Sequence, residues 1–117
     1  MMDKRFVWRE VSRIVAGYPL LECDRCAMAV SNWLTANEIP HRIIRLRTKR
    51  RSEFFIVSRR YGMSDSITEN GTHYGVEVLG LVFDNLSEYG LSRADWIADF
   101  SSRSGRFIID EVESLGD

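Results

Sequence analysis

The chain has 117 residues, of which 44% are hydrophobic and 28% are charged, and its formal net charge is -1. This size and composition predict one globular domain spanning residues 1–117. The near-neutral charge gives no general reason to expect nucleic acid as a partner. No apolar run approaches the roughly 20 residues that span a bilayer. The first residues lack the apolar core of a signal peptide, so we expect a protein that is cytoplasmic where it is made.

Two amphipathic helices are predicted in the first third of the chain. Apolar residues recur at helical spacing over residues 6–15, and Gly17 ends that run. A second helix is predicted to begin near Cys23 and to stop at Asn37, a residue that tolerates left-handed backbone, ahead of Pro40. The apolar face of this second helix comprises Cys26, Ala27, Val30, Trp33 and Leu34.

The pattern then changes to that of β-strands. Residues 43–47 and 54–57 are rich in branched and aromatic side chains and are predicted as two strands, with the charged segment 48–52 as their turn. Residues 59–72 carry glycine, serine, aspartate and asparagine and are predicted as a loop.

The second half of the chain continues with strands and one short helix. Residues 73–79 and 81–83 are predicted as paired strands that turn at Gly80. Ser92 begins a segment similar to a capping box, which predicts a short helix, and residues 107–109 are predicted as a last strand. Helices followed by a meander of strands indicate an α+β fold with a mostly antiparallel sheet.

Three side chains occur in an order typical of thiol enzymes: Cys23 at a helix start, His73 on one strand and Asp84 after the next. A helix N-terminus favours the thiolate form of a cysteine, which is the nucleophile. A histidine can accept the thiol proton, and a carboxylate can orient the imidazole. A glycine-rich turn precedes His73, and Gly75 beside it is expected to leave room for a substrate chain.

The two cysteines allow other interpretations. Cys26 lines up with the apolar face of the second helix and is expected in the core, so Cys23 is the preferred nucleophile and Cys26 the reserve. A redox C-x-x-C dithiol would follow a strand, whereas a predicted helix precedes this motif. A zinc site would use both cysteines and His73, with Asp84 or His41 as a fourth ligand, but the chain has only one clustered ligand pair.

A basic run lies between the predicted second helix and the loop at residues 59–72. It is interpreted either as a solvated hairpin tip or as a docking surface for an acidic protein or nucleic acid. The run comprises Arg42, Arg45, Arg47, Lys49, Arg50 and Arg51, followed by Phe54 and Phe55.

Two resemblances extend this interpretation. The segments Cys23-Asp24-Arg25-Cys26-Ala27, Ile39-Pro40-His41-Arg42 and His73-Tyr74-Gly75-Val76-Glu77-Val78 resemble the transglutaminase-like superfamily, with Asp84 as its aspartate. A second resemblance covers most of the chain, to papain-fold toxin domains of bacterial polymorphic toxin systems. It is carried by the Cys-x-x-Cys-Ala motif, Asn70-Gly71-Thr72-His73, Val82-Phe83-Asp84-Asn85-Leu86 and Gly90-Leu91-Ser92-Arg93-Ala94-Asp95-Trp96.

The second resemblance implies a papain-like (transglutaminase-like) core with a cysteine-bearing helix packed on the sheet. It implies Cys23, His73 and Asp84 as catalytic residues, with Asn85 as a reserve orienter, and no cofactor or resident metal. The implied activity is that of a cysteine peptidase, deamidase or transglutaminase-type acyltransferase acting on a protein or peptide. An immunity protein and delivery into other cells are implied for a toxin module. Glu22 cannot donate to an oxyanion when ionised, so the Cys23 backbone N–H is expected to do so, with a second donor not identified.

Overall fold

The structure is a computed structural model that describes residues 2–115. Three α-helices and six β-strands are present in this range, together with a 3-10 helical turn at Arg59–Tyr61. The helices are α1 (Lys4–Val15), α2 (Cys23–Ala36) and α3 (Arg93–Ala98). The strands are β1 (Arg42–Thr48), β2 (Ile56–Ser58), β3 (Thr72–Val78), β4 (Leu81–Phe83), β5 (Phe100–Ser102) and β6 (Phe107–Val112). No helix within residues 2–115 combines the length and apolar composition that crossing a membrane requires.

Helix α2 begins at Cys23 as predicted, but its end differs in detail from the prediction. The residue with left-handed backbone is Glu38, with φ 57°, whereas Asn37 has φ -100°. The Ile39 N–H donates to the Leu34 carbonyl at 2.9 Å, which closes a Schellman motif. In that motif the left-handed residue follows the C-cap, so Asn37 is the cap and its side chain is free to donate to the backbone of the last turns.

All strand pairings are antiparallel, in the order β4-β3-β1-β6 for the main sheet and β2-β5 for a second sheet. The predicted α+β class is therefore confirmed, as is the turn between β3 and β4 at Gly80. The prediction of residues 43–47 and 54–57 as paired strands is wrong. Both edges of β1 are occupied by β3 and β6, so β2 pairs with β5, which the sequence had not indicated.

The main sheet has a buried layer on each face. Helices α1 and α2 cover one face, where their apolar side chains meet Ile43, Val76, Val78 and Phe83. On the other face, Ile44 and Leu46 of β1 pack with residues of β2, α3 and β5. Because β-strand side chains alternate between faces, this arrangement lets β1 and β3 contribute to both layers. It also places the first turn of α2 beside the start of β3.

Candidate active site

Cys23 is the first residue of α2 and is 7% exposed. The first intrahelical hydrogen bond of α2 runs from the Cys26 N–H to the Glu22 carbonyl, at 3.0 Å. The N–H groups at the preceding positions have no acceptor within the helix, as at any helix start. The Glu22 side chain does not cap them and instead pairs with Arg25 at 3.5 Å. The Cys23 thiol therefore sits next to uncapped N–H groups.

His73 and Asp84 come together across the β3–β4 hairpin. The imidazole Nε2 of His73 lies 2.8 Å from Oδ2 of Asp84, and both side chains are inaccessible to solvent. Val76 faces Phe83 in the hairpin, and continuing that register puts Asp84 opposite Gly75 and diagonal to His73. Diagonal neighbours on one face of a sheet are within reach of long side chains. The hairpin register thus accounts for the pair.

The other ring nitrogen of His73 faces a different environment. Nδ1 is buried and makes no hydrogen bond to any group within residues 2–115. The Cys23 thiol lies close enough to influence the protonation of the ring, and the Sγ atom is 4.0 Å from the carbonyl oxygen of Thr72, the residue before His73. With Nε2 engaged by Asp84, Nδ1 is the nitrogen available to exchange a proton with the thiol.

Aromatic side chains hold the His73 ring. Its centroid is 5.0 Å from that of Phe100 and 6.0 Å from that of Trp96. A Cβ atom at Gly75 would lie 2.8 Å from both Trp96 and Val82. The expectation that Gly75 leaves room for substrate is therefore wrong, because Trp96 fills that space. Gly75 instead allows Trp96 to pack beneath the site.

Asp84 accepts six hydrogen bonds. Its Oδ2 accepts from Nε2 of His73, from Nε1 of Trp96 at 2.8 Å and from Nη2 of Arg60 at 2.9 Å. Its Oδ1 accepts from Nη1 of Arg60 at 2.9 Å and, at 3.0 Å each, from the Leu86 N–H and the Ser87 hydroxyl. A buried carboxylate is costly unless it is paired and hydrogen-bonded, and this set of donors satisfies it.

The pKa values of the pair move in opposite directions. Burial by itself lowers the pKa of His73, but the hydrogen bond to Asp84 and the influence of the nearby Cys23 thiol outweigh it and raise the value from 6.5 to about 9. Burial by itself raises the pKa of Asp84, but its interactions with His73 and Arg60 hold it well below the usual range. The site therefore favours an imidazolium next to a carboxylate at neutral pH.

The two cysteines differ in environment. Cys26 is 1% exposed and packs among the apolar side chains of α1, α2 and β3. Burial, followed by the charges of Asp84 and Cys23, raises the pKa of the Cys26 thiol from 9.0 to about 12. Cys26 is thus a core residue that keeps its proton, whereas Cys23 is at the helix start.

A cleft of about 690 Å³ opens beside Cys23, between α2 and residues 68–74. Cys23 is among the residues that line it, whereas His73 is fully buried and does not line it. Leu21 also lines the cleft, with an exposed side chain and φ 74°. A left-handed backbone costs a residue other than glycine roughly 1–2 kcal/mol, and such strain is concentrated at functional sites.

The structure thus brings His73 and Asp84 into contact and places Cys23 beside them, while two other candidates lie elsewhere. Asn85, the reserve orienter, directs Nδ2 to the Pro19 carbonyl at 2.9 Å and so ties the loop before α2 to the end of β4. His41 bonds to the Ser31 hydroxyl at 2.8 Å. Within residues 2–115, no group of three or more His, Cys, Asp or Glu side chains is arranged to hold a metal ion.

Two members of the site were not identified from the sequence, Arg60 and Ser87. Arg60 lies in the segment predicted as a loop, residues 59–72, and Ser87 lies just after β4; neither has a local pattern that sets it apart from its neighbours. Trp96 was noted only as part of a motif. The available signal was indirect: a buried carboxylate requires donors, and arginine is the side chain best suited to bind both of its oxygens.

A family model described as papain fold toxin 2 matches residues 7–101, a range that includes Cys23, His73, Asp84 and Arg60. Neither a curated protein nor a solved structure matches the chain significantly.

Proposed function

This chain belongs to the papain fold toxin 2 family, and we propose that it is a thiol enzyme that acts on an amide bond by acyl transfer. In this proposal Cys23 is the nucleophile, His73 the general base and acid, and Asp84 the group that orients the imidazole. One observation carries the proposal: His73 is bound to a fully buried carboxylate through Nε2, while its Nδ1 is left without a hydrogen-bond partner in residues 2–115 and the Cys23 thiol lies nearby.

The acylation half of the reaction follows from these positions. In the starting state Nδ1 of His73 holds the Cys23 proton, because the raised pKa of this ring favours the imidazolium; the Cys23 thiolate then attacks the carbonyl carbon of the amide. The oxyanion that forms is stabilised by uncapped N–H groups in the first turn of α2. The imidazolium then donates its proton to the leaving nitrogen, the C–N bond breaks, and a thioester on Cys23 remains.

The second half regenerates the thiol. His73 accepts a proton from an incoming water or amine, which attacks the thioester carbonyl and releases Cys23. Water attack completes peptide cleavage or the deamidation of a glutamine, whereas attack by an amine gives a transamidated product. Asp84 remains ionised throughout and keeps the Nε2 proton of the imidazole in place. These three outcomes share the same chemistry at Cys23.

The substrate and partners in this proposal follow the family's character as toxins. The cleft beside Cys23 is open and is lined by polar, charged and apolar side chains, which suits a peptide segment or a protein side chain. We propose a protein target in a recipient cell and an immunity protein that blocks this cleft in the producing cell.

Growth of bacterial cells tests the role of the thiol. We expect expression of the wild type to arrest growth, Cys23→Ser to restore it, and Cys26→Ala at equal protein levels to remain toxic because Cys26 is a core residue. A Cys23→Ser variant as toxic as the wild type would contradict the proposed nucleophile.

Alkylation by iodoacetamide tests the same assignment without a substrate. Trypsin cleavage after Arg25 separates Cys23, in the peptide 14–25, from Cys26, in the peptide 26–42, so each thiol can be followed by mass spectrometry. We expect rapid labelling of Cys23 at about pH 6 that is lost in His73→Ala. A Cys23 that is labelled with a midpoint near the unperturbed value of about 8.5 in both proteins would reject the proposal.

A second candidate function is binding through the basic run, and the structure divides that run into two parts. The arginines of β1 face acidic residues of β6. Arg42 pairs with Glu111 at 2.7 Å, Arg45 pairs with Asp110 at 2.9 Å, and Arg47 lies 3.5 Å from the same carboxylate. All three arginines in this half of the run are therefore engaged by carboxylates within the fold.

The other half of the run is positioned to meet a partner. Within residues 2–115, Lys49, Arg50 and Arg51 form no ion pair, and the side chains of Phe54 and Phe55 are more than half exposed. Adjacent positive and aromatic side chains suit an acidic protein surface. If this were the main function, Phe54→Ser with Phe55→Ser would abolish toxicity while Cys23→Ser would leave it intact, the reverse of what the enzyme proposal expects.

A further inference from the structure

Arg60 is held by contacts to two carboxylates. Its Nη1 and Nη2 donate to the two oxygens of Asp84, each at 2.9 Å, and its Nε donates to Oδ2 of Asp99 at 2.9 Å. The Arg60 backbone N–H donates to Oδ1 of Asp99 at 3.1 Å. The side chain is 21% exposed and its guanidinium also lies 5.6 Å from the centre of the Phe100 ring.

Asp99 is itself fixed in place. It is the C-cap of α3 and is 7% exposed. Its side chain accepts a hydrogen bond from the Ser58 hydroxyl at the end of β2, and its carbonyl accepts one from the Arg59 N–H at 3.0 Å. The second sheet, formed by β2 and β5, therefore anchors Arg60 at the position from which it reaches Asp84.

The contact to both Asp84 oxygens restricts how that carboxylate can turn. The terminal torsion of an aspartate is broad and roughly two-fold, and each of the four donors other than Arg60 binds only one of the two oxygens: His73, Trp96, Leu86 and Ser87. A planar guanidinium that binds both oxygens fixes the carboxylate plane, since its donors form a rigid fork. Oδ2 is thereby aimed at Nε2 of His73.

We propose that Arg60, anchored by Asp99, is a positioning residue that sets the orientation of Asp84 and through it the readiness of His73 to take the Cys23 proton. This inference rests on the proposed function. Arg60 itself does not line the cleft and does not touch the reacting atoms. The side chain of its sequence neighbour Arg59 is exposed and takes no part in the network, to which Arg59 contributes only its backbone N–H.

The charged and titratable groups around Asp84 come from several elements. His73 is on β3, Arg60 is in the 3-10 turn, and the thiols of Cys23 and Cys26 are on α2; Asp99 lies beyond Arg60, at the end of α3. Removing Arg60 alone would leave Asp99 without its buried cation. The test therefore uses the double variant Arg60→Met/Asp99→Asn, which removes the Asp99 charge together with its cation. The side-chain amide oxygen that replaces the Asp99 carboxylate can still accept the hydrogen bond from the Ser58 hydroxyl.

The test is the pH profile of Cys23 alkylation by iodoacetamide in the full chain. We expect Arg60→Met/Asp99→Asn to slow labelling at about pH 6 by about tenfold or more, the scale of losing a charge-assisted hydrogen bond. Labelling at about pH 9.5 should change less than about threefold, because most thiols are ionised there. Arg60→Lys keeps the charge without the fork and should show an intermediate loss. Arg59→Met, the matched control, should follow the wild type.

Circular dichroism and thermal melting check that the variants fold. If the double variant does not fold, the pH profile of Arg60→Lys serves as the test. A folded Arg60 variant with the wild-type pH profile would overturn the inference, because a merely structural role would lower stability without moving that profile. The His73→Ala variant separates this from a failure of the proposed function. If His73→Ala changes the profile and the Arg60 variants do not, only the Arg60 inference fails; if His73→Ala also leaves it unchanged, both fail.

Discussion

Arg60 and Asp84 form a two-point ion pair in the interior of the protein, with both nitrogen–oxygen distances at 2.9 Å. The two residues are separated by 24 positions in the chain, and the pair joins the 3-10 turn to the end of β4. Asp84 also orients His73, so the same carboxylate serves the proposed chemistry and ties together distant segments. Stability and reactivity should therefore be coupled at this residue.

Replacement of Asp84 by Asn should destabilise the protein strongly. An amide oxygen cannot accept all six hydrogen bonds, and Arg60 would lose one of its two partners. Breaking a buried ion pair from one side costs about 3–5 kcal/mol. Urea unfolding measures this loss. Asp110→Asn is the control, since Asp110 is 33% exposed and pairs with Arg45 and Arg47 near the surface; it should cost about 1 kcal/mol or less. Similar losses in the two variants would contradict a structural role for Asp84.

The raised pKa of His73 predicts how stability varies with pH. The folded value is about 9, against 6.5 for the ordinary side chain, so the contribution of His73 is complete below about pH 6.5 and is lost as the pH rises through 9. Asp84, whose pKa is lowered, contributes above about pH 4 and is lost in acid. We therefore expect the free energy of unfolding to be greatest near pH 4–6.5.

Urea unfolding at about pH 5.5, 7 and 8.5 tests this dependence. The free energy of unfolding should fall by up to about 3 kcal/mol between pH 5.5 and 8.5. In His73→Gln, which cannot titrate, the curve should be nearly flat between pH 5.5 and 8.5. A wild-type protein that becomes more stable over that interval would contradict the assignment of the proton to His73.

Cys26 should be unreactive in the folded protein. It is almost fully buried and its pKa is raised to about 12, so labelling requires both local opening and ionisation. At about pH 8.5 we expect iodoacetamide to modify the peptide 14–25 and to leave the peptide 26–42 unmodified. In urea both peptides should be labelled at similar rates, which controls for reagent and digestion. Equal labelling in the native state would mean that Cys26 is accessible.

Replacement of Gly75 by Ala should disturb the packing under the site. The added Cβ would lie 2.8 Å from Trp96 and Val82, and overpacking of this kind costs about 1–3 kcal/mol. Because Trp96 donates to Asp84, thiol labelling at about pH 6 should also slow. Gly17→Ala is the control, since its Cβ would only meet the Ile14 carbonyl at 3.4 Å. A Gly75→Ala variant as stable as Gly17→Ala would show that Trp96 can move aside.

Features with a local cause could be predicted from the sequence. The start of α2 at Cys23 follows from the apolar period of that helix, and the turn at Gly80 requires a left-handed residue, with φ 90°. Ser92 caps α3 by accepting from the Asp95 N–H. These features depend on a few neighbouring residues, so the chain itself contains the whole signal.

Features that depend on pairing between distant segments could not be predicted in this way. The run at residues 54–57 has the composition of a strand, but its pairing depends on which edges of β1 are free, and both are occupied. Only Ile56 and Val57 of that run join β2, whereas Phe54 and Phe55 remain exposed. Composition predicts that a segment is extended and does not say which strand it meets.

The same distinction between local and long-range features applies to the candidate site. The sequence by itself determined that Cys23, His73 and Asp84 are the candidates, because their residue types and their places on a helix and a hairpin follow from local pattern and resemblance. Only the tertiary structure decided that Arg60 and Trp96 hold the carboxylate. The physical reason is that a buried charge takes its donors from whichever segments the fold brings near, and that proximity is a property of the packed chain as a whole.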